Sequence, residues 1–204
     1  IAEAAVSHVP LIAVTTDRPE ELQGIGAPQT LDQQALFGTH VKKAMTVTMQ
    51  STTPDTTEYI DYAVQDAVHL AGQQPAGPIQ INLPLRKPLM PELDAVWPNV
   101  ETVQYAEAET VLEVPESLLT QFAEAVMFLA GPAESTTYQK QLQAVAERHA
   151  LPILADVLGQ VRPNANAITG IDALIESGCV KAYPTPRLIV RFGGTPVSAK
   201  VLQW

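Results

Sequence analysis

The sequence predicts an α/β protein whose parallel sheets are flanked by helices. Short apolar runs recur along its 204 residues, and such runs are typical of strands buried on both faces of a parallel sheet. Segments with apolar residues at helical spacing alternate with these runs. One proline-rich stretch interrupts the alternation, which indicates two α/β domains in sequence.

The first half of the chain is expected to contain three strands. Apolar periodicity is clearest in residues 55–71, where one helical stripe, expected to be buried, contains Ile60, Ala63, Val64, Ala67, Val68 and Ala71. The run at 10–16 predicts a strand covered on both faces. The remaining predicted elements are a helical run at 1–6, a short helix at 31–37, and strands at 41–49 and 78–84.

Residues 86–115 contain four prolines and six acidic residues without a sustained period. We therefore predict a first domain at 1–90, a linker at 91–115 and a second domain at 116–204. The second domain is expected to contain helices from Glu116 and at 135–149 and 171–176, and strands at 126–130, 151–155 and 187–192. No initiator Met precedes Ile1 and no helix C-cap follows Lys200, so we expect both ends to be cut.

Composition excludes several classes of function. With 22 acidic against 12 basic residues and a formal net charge of −10, most of the surface should repel nucleic acid and anionic membranes. The apolar run at 9–14 is too short to span a membrane. A single cysteine, Cys179, excludes an internal disulfide and is typical of a cytoplasmic protein.

The glycines, histidines and lysines and Asn82 give weaker indications of function, and most of them are explained by structure alone. Glycines at Gly131 and at 193–194 follow predicted strands, which suits either phosphate binding or tight βα packing. None of the four histidines has partners at metal-ligand spacing, so we expect no metal site. Lys42 and Lys43 are expected to be solvated, and Asn82 is expected to hold the loop that follows it.

Several segments together resemble one enzyme family. The first is residues 9–22 with 26–33 and Phe37-Gly38, and residues 77–89, 151–156 and 191–198 follow in the same order. They resemble the 2-succinyl-5-enolpyruvyl-6-hydroxy-3-cyclohexene-1-carboxylate synthases, the MenD family of menaquinone biosynthesis. The most specific feature is the pairing of Thr16-Asp-Arg-Pro19 with Gly26-Ala-Pro-Gln29.

The resemblance implies part of a pyrimidine-binding thiamine diphosphate domain, followed by a truncated central Rossmann-like domain. It also implies a transferase that decarboxylates 2-oxoglutarate and adds the succinyl unit to isochorismate, with thiamine diphosphate and Mg²⁺ or Mn²⁺ as cofactors. The family's activating glutamate and its metal and diphosphate motif have no counterpart here. We therefore expect this chain alone to be inactive and to bind no cofactor, and we expect the intact protein to be a homodimer or homotetramer with shared active sites.

Three residues are candidates for substrate binding by this resemblance. Arg18 follows a predicted strand at its carboxyl end, where α/β sheets bind ligands, and a guanidinium suits a substrate carboxylate. Gln29 resembles a substrate-facing amide of the family. Lys200 corresponds to one of two basic positions, the first of which is Ala199 here. Arg18 and Gln29 also have structural interpretations, as a surface ion pair with Glu20 or Glu21 and as a turn-stabilising side chain, and the contribution of Lys200 could be shifted or lost.

Two other functions are compatible with the same sequence. One is another thiamine-dependent decarboxylase, such as a relative of acetolactate synthase. The spacing of Arg18 and Gln29 distinguishes the MenD family from such enzymes. The other is a non-catalytic assembly or ligand-sensing module, since the cofactor motifs are missing.

Overall fold

The computed structural model describes residues 1–48, 53–90, 93–96, 99–106, 113, 115–120, 126–133, 136–161, 163–182 and 185–204. The chain divides into two compact units, Ile1–Ala108 and Glu109–Trp204. Each unit contains a parallel sheet with helices packed against it, so the predicted α/β class is confirmed. The division falls within residues 91–115, several of which lie outside the described part, and the extent of the linker stays a prediction.

The first unit is built on a three-stranded sheet. Its order is β1-β3-β2, and both neighbouring pairs are parallel. The carboxyl ends of all three strands therefore lie at one edge of the sheet. In chain order the elements are α1 (Ala2–Val6), β1 (Ile12–Asp17), β2 (Lys43–Thr46), α2 (Pro54–Gly72) and β3 (Ile79–Pro84).

Helix α2 forms where the sequence predicts a helix, one residue longer at each end, although Val68 of the predicted buried stripe is 42% exposed. The Thr53 side chain accepts a hydrogen bond from the backbone N–H of Thr56 and so caps the amino end of the helix. The helix buries alanines at four-residue intervals against strands β2 and β3. Because alanine side chains are short, the helix axis can approach the sheet closely over Ile79 and Ile81.

Strand β1 is not covered on both faces, so that prediction was wrong. Ile12 and Val14 remain 46% and 60% exposed, while the alternate residues of the strand, Ala13, Thr15 and Asp17, are half-buried. Both are in register with the buried isoleucines of β3, on the face that α2 covers. The described core of that face joins α2 to β2 and β3 and does not include β1.

The predicted helix at 31–37 is also wrong. This segment forms turns, followed by a 3₁₀ turn at Gly38–His40. The Asp32 carboxylate accepts hydrogen bonds from the backbone N–H groups of Gln34 and Ala35. Such local bonds compete with the helical pattern and favour a turn.

Lys42 is exposed, as expected, and Lys43 is half-buried, but both ammonium groups also bind partners that the sequence did not predict. The Lys42 ammonium donates to the carbonyls of Leu70, Gln73 and Pro75, at 2.6, 2.7 and 2.9 Å, at the carboxyl end of α2. Lys43 forms an ion pair of 2.8 Å with an α2 carboxylate. The dipole of α2 also favours the Lys42 cation at the carboxyl end of this helix.

Part of the predicted linker packs against α2. The amide of Gln65 donates to the carbonyl of Glu101 and accepts from the N–H of Val103, at 2.9 and 2.8 Å. The ring of Tyr105 stacks on His69 with 3.6 Å between the ring centroids. Residues 101–105 therefore pack against α2.

The second unit contains a four-stranded parallel sheet of order β6-β5-β4-β7. Its two faces are covered by different hydrophobic clusters, one centred on Phe128 and the other on Met127. Its elements are α3 (Glu116–Leu119), β4 (Val126–Ala130), α4 (Thr136–Arg148), β5 (Ile153–Ala155), β6 (Ala167–Ile168), α5 (Ile171–Glu176), β7 (Leu188–Phe192) and α6 (Ala199–Gln203).

The glycine turns of this unit are packed backbone against backbone. A Cβ atom on Gly131 would lie 2.0 Å from the carbonyl oxygen of Gly194, and one on Gly193 would lie 2.4 Å from that of Pro132. Gly193 also has a φ of +72°, which side chains rarely adopt. This geometry supports the packing interpretation of the glycines rather than phosphate binding.

No helix within the described ranges is both long and apolar enough to cross a membrane.

Candidate functional site

The carboxyl edge of the first sheet carries a cavity of about 440 Å³. We call it the acidic cavity, because the described residues that line it include Asp17, Glu20 and Asp32. Arg18 and the neutral side chains of Gln33 and others complete the lining. Its three carboxylates suit a ligand that donates hydrogen bonds and disfavour a phosphate.

A polar network lies beneath this edge, on the sheet face opposite α2. Gln80 donates to the Thr15 hydroxyl at 3.1 Å, and that hydroxyl donates to the Asn82 amide oxygen at 2.9 Å. Asn82 in turn lies 3.5 Å from one carboxylate oxygen of Asp17, at the limit of a hydrogen bond. Asn82 therefore ties together the ends of two strands, and within the described structure its side-chain hydrogen bonds go to β1 rather than to the loop that follows Asn82.

Two acceptors near this network are buried without a partner in the described structure. They are the side-chain oxygens of Gln33 and Gln80. Gln80 is only 1% exposed, so its amide cannot be satisfied from bulk solvent. Buried polar atoms of this kind usually bind an ordered water or a ligand group.

Arg18 and Gln29 are brought together beside the end of β1. The Arg18 guanidinium donates to the side-chain oxygen of Gln29. The backbone around Arg18 is held by Asp17, which accepts from its N–H at 2.7 Å, and by Gln23, which donates to its carbonyl at 2.8 Å. Gln29 has a φ of +63°, which turns the chain back towards β1.

These two residues line a second, smaller cavity of about 240 Å³. We call it the Arg18 cleft; its described lining residues are Thr16, Asp17, Arg18, Gln29, Leu85, Lys87 and Leu89. The cleft combines two cations with one carboxylate, an amide, a hydroxyl and apolar side chains. Because a guanidinium and an amide both present N–H donors, this combination suits a carboxylate attached to a hydrocarbon body.

Glu21, which could have paired with Arg18, is instead paired with Arg86. The oxygen–nitrogen distance is 2.8 Å, and both side chains are at least half exposed. The guanidinium of Arg18 therefore faces a neutral amide in this arrangement.

Lys200 lies in the second unit, on helix α6, and its ammonium is paired with the carboxylate of Glu176. Ser198 caps the amino end of this helix, since its side chain accepts from the N–H of Val201 at 3.1 Å. Lys200 also lines a cavity of about 650 Å³ at the edge of the second sheet, next to Asp156. The ion pair with Glu176 would have to open before Lys200 could bind a substrate.

Sequence reasoning assigned no role to Asp156, which organises this second edge. It is 8% exposed, and its two carboxylate oxygens accept from the N–H groups of Leu158 and Val197, each at 2.9 Å. It thereby ties the loop after β5 to the loop that leads into α6. The sequence could have predicted a role for Asp156, because it directly follows a buried strand and functional side chains often lie at the carboxyl ends of strands.

Within the described residues, no group of three or more His, Cys, Asp or Glu side chains is arranged to hold a metal ion.

Curated relatives cover the whole chain. It is 44% identical over 205 residues to the 2-succinyl-5-enolpyruvyl-6-hydroxy-3-cyclohexene-1-carboxylate synthase of Leuconostoc mesenteroides, and 44% identical to that of Leuconostoc citreum. Identity to the synthase of Geobacillus thermodenitrificans is 33% over 219 residues. All of this chain is aligned in each case, and it spans about 37% of the length of each relative.

No family model matches the chain. The resemblance that the sequence predicts is nevertheless confirmed along its full length by these relatives.

Proposed function

We propose that this chain is one section of a 2-succinyl-5-enolpyruvyl-6-hydroxy-3-cyclohexene-1-carboxylate synthase. The intact enzyme would release CO₂ from 2-oxoglutarate and join the remaining succinyl unit to isochorismate, in menaquinone biosynthesis. The observation that carries the proposal is the pairing of Arg18 with Gln29 at the carboxyl edge of the first sheet. Similarity along the whole of this chain to synthases of that name supports the proposal.

In this proposal the Arg18 cleft binds a substrate carboxylate. Both substrates are anions, and the chain as a whole carries a formal charge of −10, so binding requires locally placed cations. Arg18 supplies a charge with two parallel donors, and Gln29 supplies a neutral donor beside it. Backbone bonds on both sides of Arg18 keep its position fixed before the ligand arrives.

Such a synthase uses thiamine diphosphate with Mg²⁺ or Mn²⁺, and the cofactor would supply the carbanion chemistry. The residues described here do not fit the diphosphate and its metal. The acidic cavity presents Asp17, Glu20 and Asp32, which would repel a diphosphate, and the described part of the chain contains no metal-holding group. We assign those sites to other parts of the intact protein, and we propose that this chain alone is inactive.

We further propose that the first domain is the later part of a pyrimidine-binding domain and the second is a Rossmann-like domain. Their proposed bounds are 1–90 and 116–204, with a linker at 91–115. Lys200 would be a substrate ligand from the second domain, released from Glu176. The intact enzyme would be a cytoplasmic homodimer or homotetramer with active sites shared between subunits.

The activity of the intact protein tests this proposal. With thiamine diphosphate and Mg²⁺, we expect equal consumption of 2-oxoglutarate and isochorismate, with one CO₂ released for each 2-oxoglutarate consumed. Mass spectrometry identifies the product. Pyruvate in place of 2-oxoglutarate serves as the control substrate. Turnover of pyruvate alone would identify an acetolactate synthase relative, and no turnover with either would favour a non-catalytic module.

A further inference from the structure

The loop after β3 places Lys87 in the Arg18 cleft. Lys87 is three residues beyond the end of β3, on a different segment of chain from Arg18. The N–H of Leu85 donates to the carbonyl of Asp17 at 3.0 Å, which fastens this loop to the end of β1. Both cations therefore line one cavity from two connected strand ends.

Lys87 differs from the other cations near this sheet in its surroundings. Its neighbour Arg86 is paired with Glu21, and Lys42 and Lys43 are held by backbone carbonyls and by a carboxylate. No hydrogen bond or ion pair joins Lys87 to any part of the chain that the structure describes. Its ammonium is thus available to a ligand without the loss of an internal partner.

The rest of the cleft indicates what kind of ligand fits. Leu85 and Leu89, which are 42% and 60% exposed, contribute apolar surface next to the two cations. A ligand with one carboxylate needs only one of the cations. A hydrocarbon body that carries two carboxylates would satisfy both cations and cover the leucine side chains.

We propose that Lys87 is a specificity-determining residue that binds a second carboxylate of the ligand held by Arg18, so that the cleft selects dicarboxylates. The identity of the ligand rests on the proposed function, in which both isochorismate and 2-oxoglutarate are dicarboxylates. Neither the pairing of Arg18 with Gln29 nor the fold requires a cation at this position.

The test compares Lys87→Gln with Lys87→Arg and Arg86→Gln in the intact protein. Arg86→Gln is the matched control, because it removes a cation from the same loop that does not line the cleft. Calorimetric titration with isochorismate alone and with 2-oxoglutarate alone, without thiamine diphosphate, measures binding independently of turnover. Steady-state kinetics with each substrate varied provides the second readout.

For Lys87→Gln we expect the Kd and KM of one of the two dicarboxylates to rise about tenfold, as for the loss of one charge-assisted hydrogen bond in an open cleft. Lys87→Arg should retain most of the binding, Arg86→Gln should resemble the parent, and kcat should change little. The affected substrate identifies the ligand. Equal constants for Lys87→Gln and Arg86→Gln would overturn the assignment.

The two proposals fail in different ways. Binding of a dicarboxylate that depends on Lys87, without synthase turnover, would refute the proposed function and leave Lys87 as a carboxylate ligand. Turnover that is indifferent to Lys87→Gln would refute only the role of Lys87. A parent protein that binds neither dicarboxylate would overturn both.

Discussion

Replacement of Arg18 by Ala in the intact protein tests the candidate site most directly. The change removes a guanidinium whose described side-chain bond is to the neutral amide of Gln29, so a substrate carboxylate would lose its charged donor. A hydrogen bond to a charged group contributes about 1.5 to 3 kcal/mol. Since about 1.4 kcal/mol corresponds to a tenfold change, kcat/KM should fall about 10- to 150-fold.

Folding should change much less than binding. Arg18 lies outside the hydrophobic cluster that joins α2 to β2 and β3, and its side-chain bond is on the surface. The free energy of unfolding should therefore change by less than about 1 kcal/mol. Arg18→Lys should recover only part of the activity, because an ammonium keeps the charge but lacks the planar pair of donors.

The assay is steady-state kinetics with 2-oxoglutarate and isochorismate varied separately, together with thermal melts of each variant. Gln29→Ala provides a milder variant at the same place, since it removes a neutral donor. If Arg18→Ala leaves the kinetics of both substrates unchanged, Arg18 is a surface residue. A large fall in Tm with proportionate loss of activity would instead make it structural.

Three further predictions concern the fold. Lys42→Met should lower the free energy of unfolding of the first unit by about 1 to 2 kcal/mol in denaturant titrations, through the lost bonds at the end of α2, whereas Lys43→Met should cost less than about 1 kcal/mol as a surface ion pair. Gly131→Ala should destabilise the second unit by about 3 kcal/mol or more, because its Cβ meets a carbonyl oxygen, while Gly72→Ala, which meets nothing within 4 Å, should have little effect. Burial, and then the Asp66 carboxylate, raise the pKa of Tyr105, so the folded chain should release this proton at higher pH than the unfolded chain. The resulting stabilisation is present below the ordinary pKa of 10.0 and is lost as pH rises through the raised pKa. In an absorbance titration of phenolate, Tyr105→Phe should lose one step that lies above the ordinary pKa.

Elements with strong periodicity and clear boundaries could be predicted from the sequence. Strand β4 and helix α5 have the predicted bounds, and α2 differs from its prediction by one residue at each end. The error at residues 31–37 arose because local hydrogen bonds to Asp32 outweigh apolar spacing, whereas the exposure of β1 depends on what packs on the sheet. Strand β6 and helix α6 were missed because one has two residues and the other depends on the Ser198 cap, which a pattern of apolar residues does not reveal.

The candidate site could be predicted only in part, for a similar reason. Arg18 and Gln29 were found through the family resemblance, since an Arg after a strand and a Gln in a turn are unremarkable by themselves. Lys87 was missed because its place in the cleft depends on the bond between Leu85 and Asp17, which joins residues distant in sequence. The partners of Lys42 likewise lie about thirty residues away along the chain.

The edge of the first sheet places opposite chemistries side by side. Asp17 and Arg18 line both cavities, but the acidic cavity also has Glu20 and Asp32, whereas the Arg18 cleft has Lys87. Because charges within a few ångströms dominate over distant screened ones, the net charge of −10 does not prevent an anion from binding in the cleft. The acidic cavity disfavours binding of an anion, because an anion inside it would lie close to like charges and desolvated hydrogen-bond acceptors. An anionic substrate is therefore directed to the cleft, and the acidic cavity is left to a group that donates hydrogen bonds.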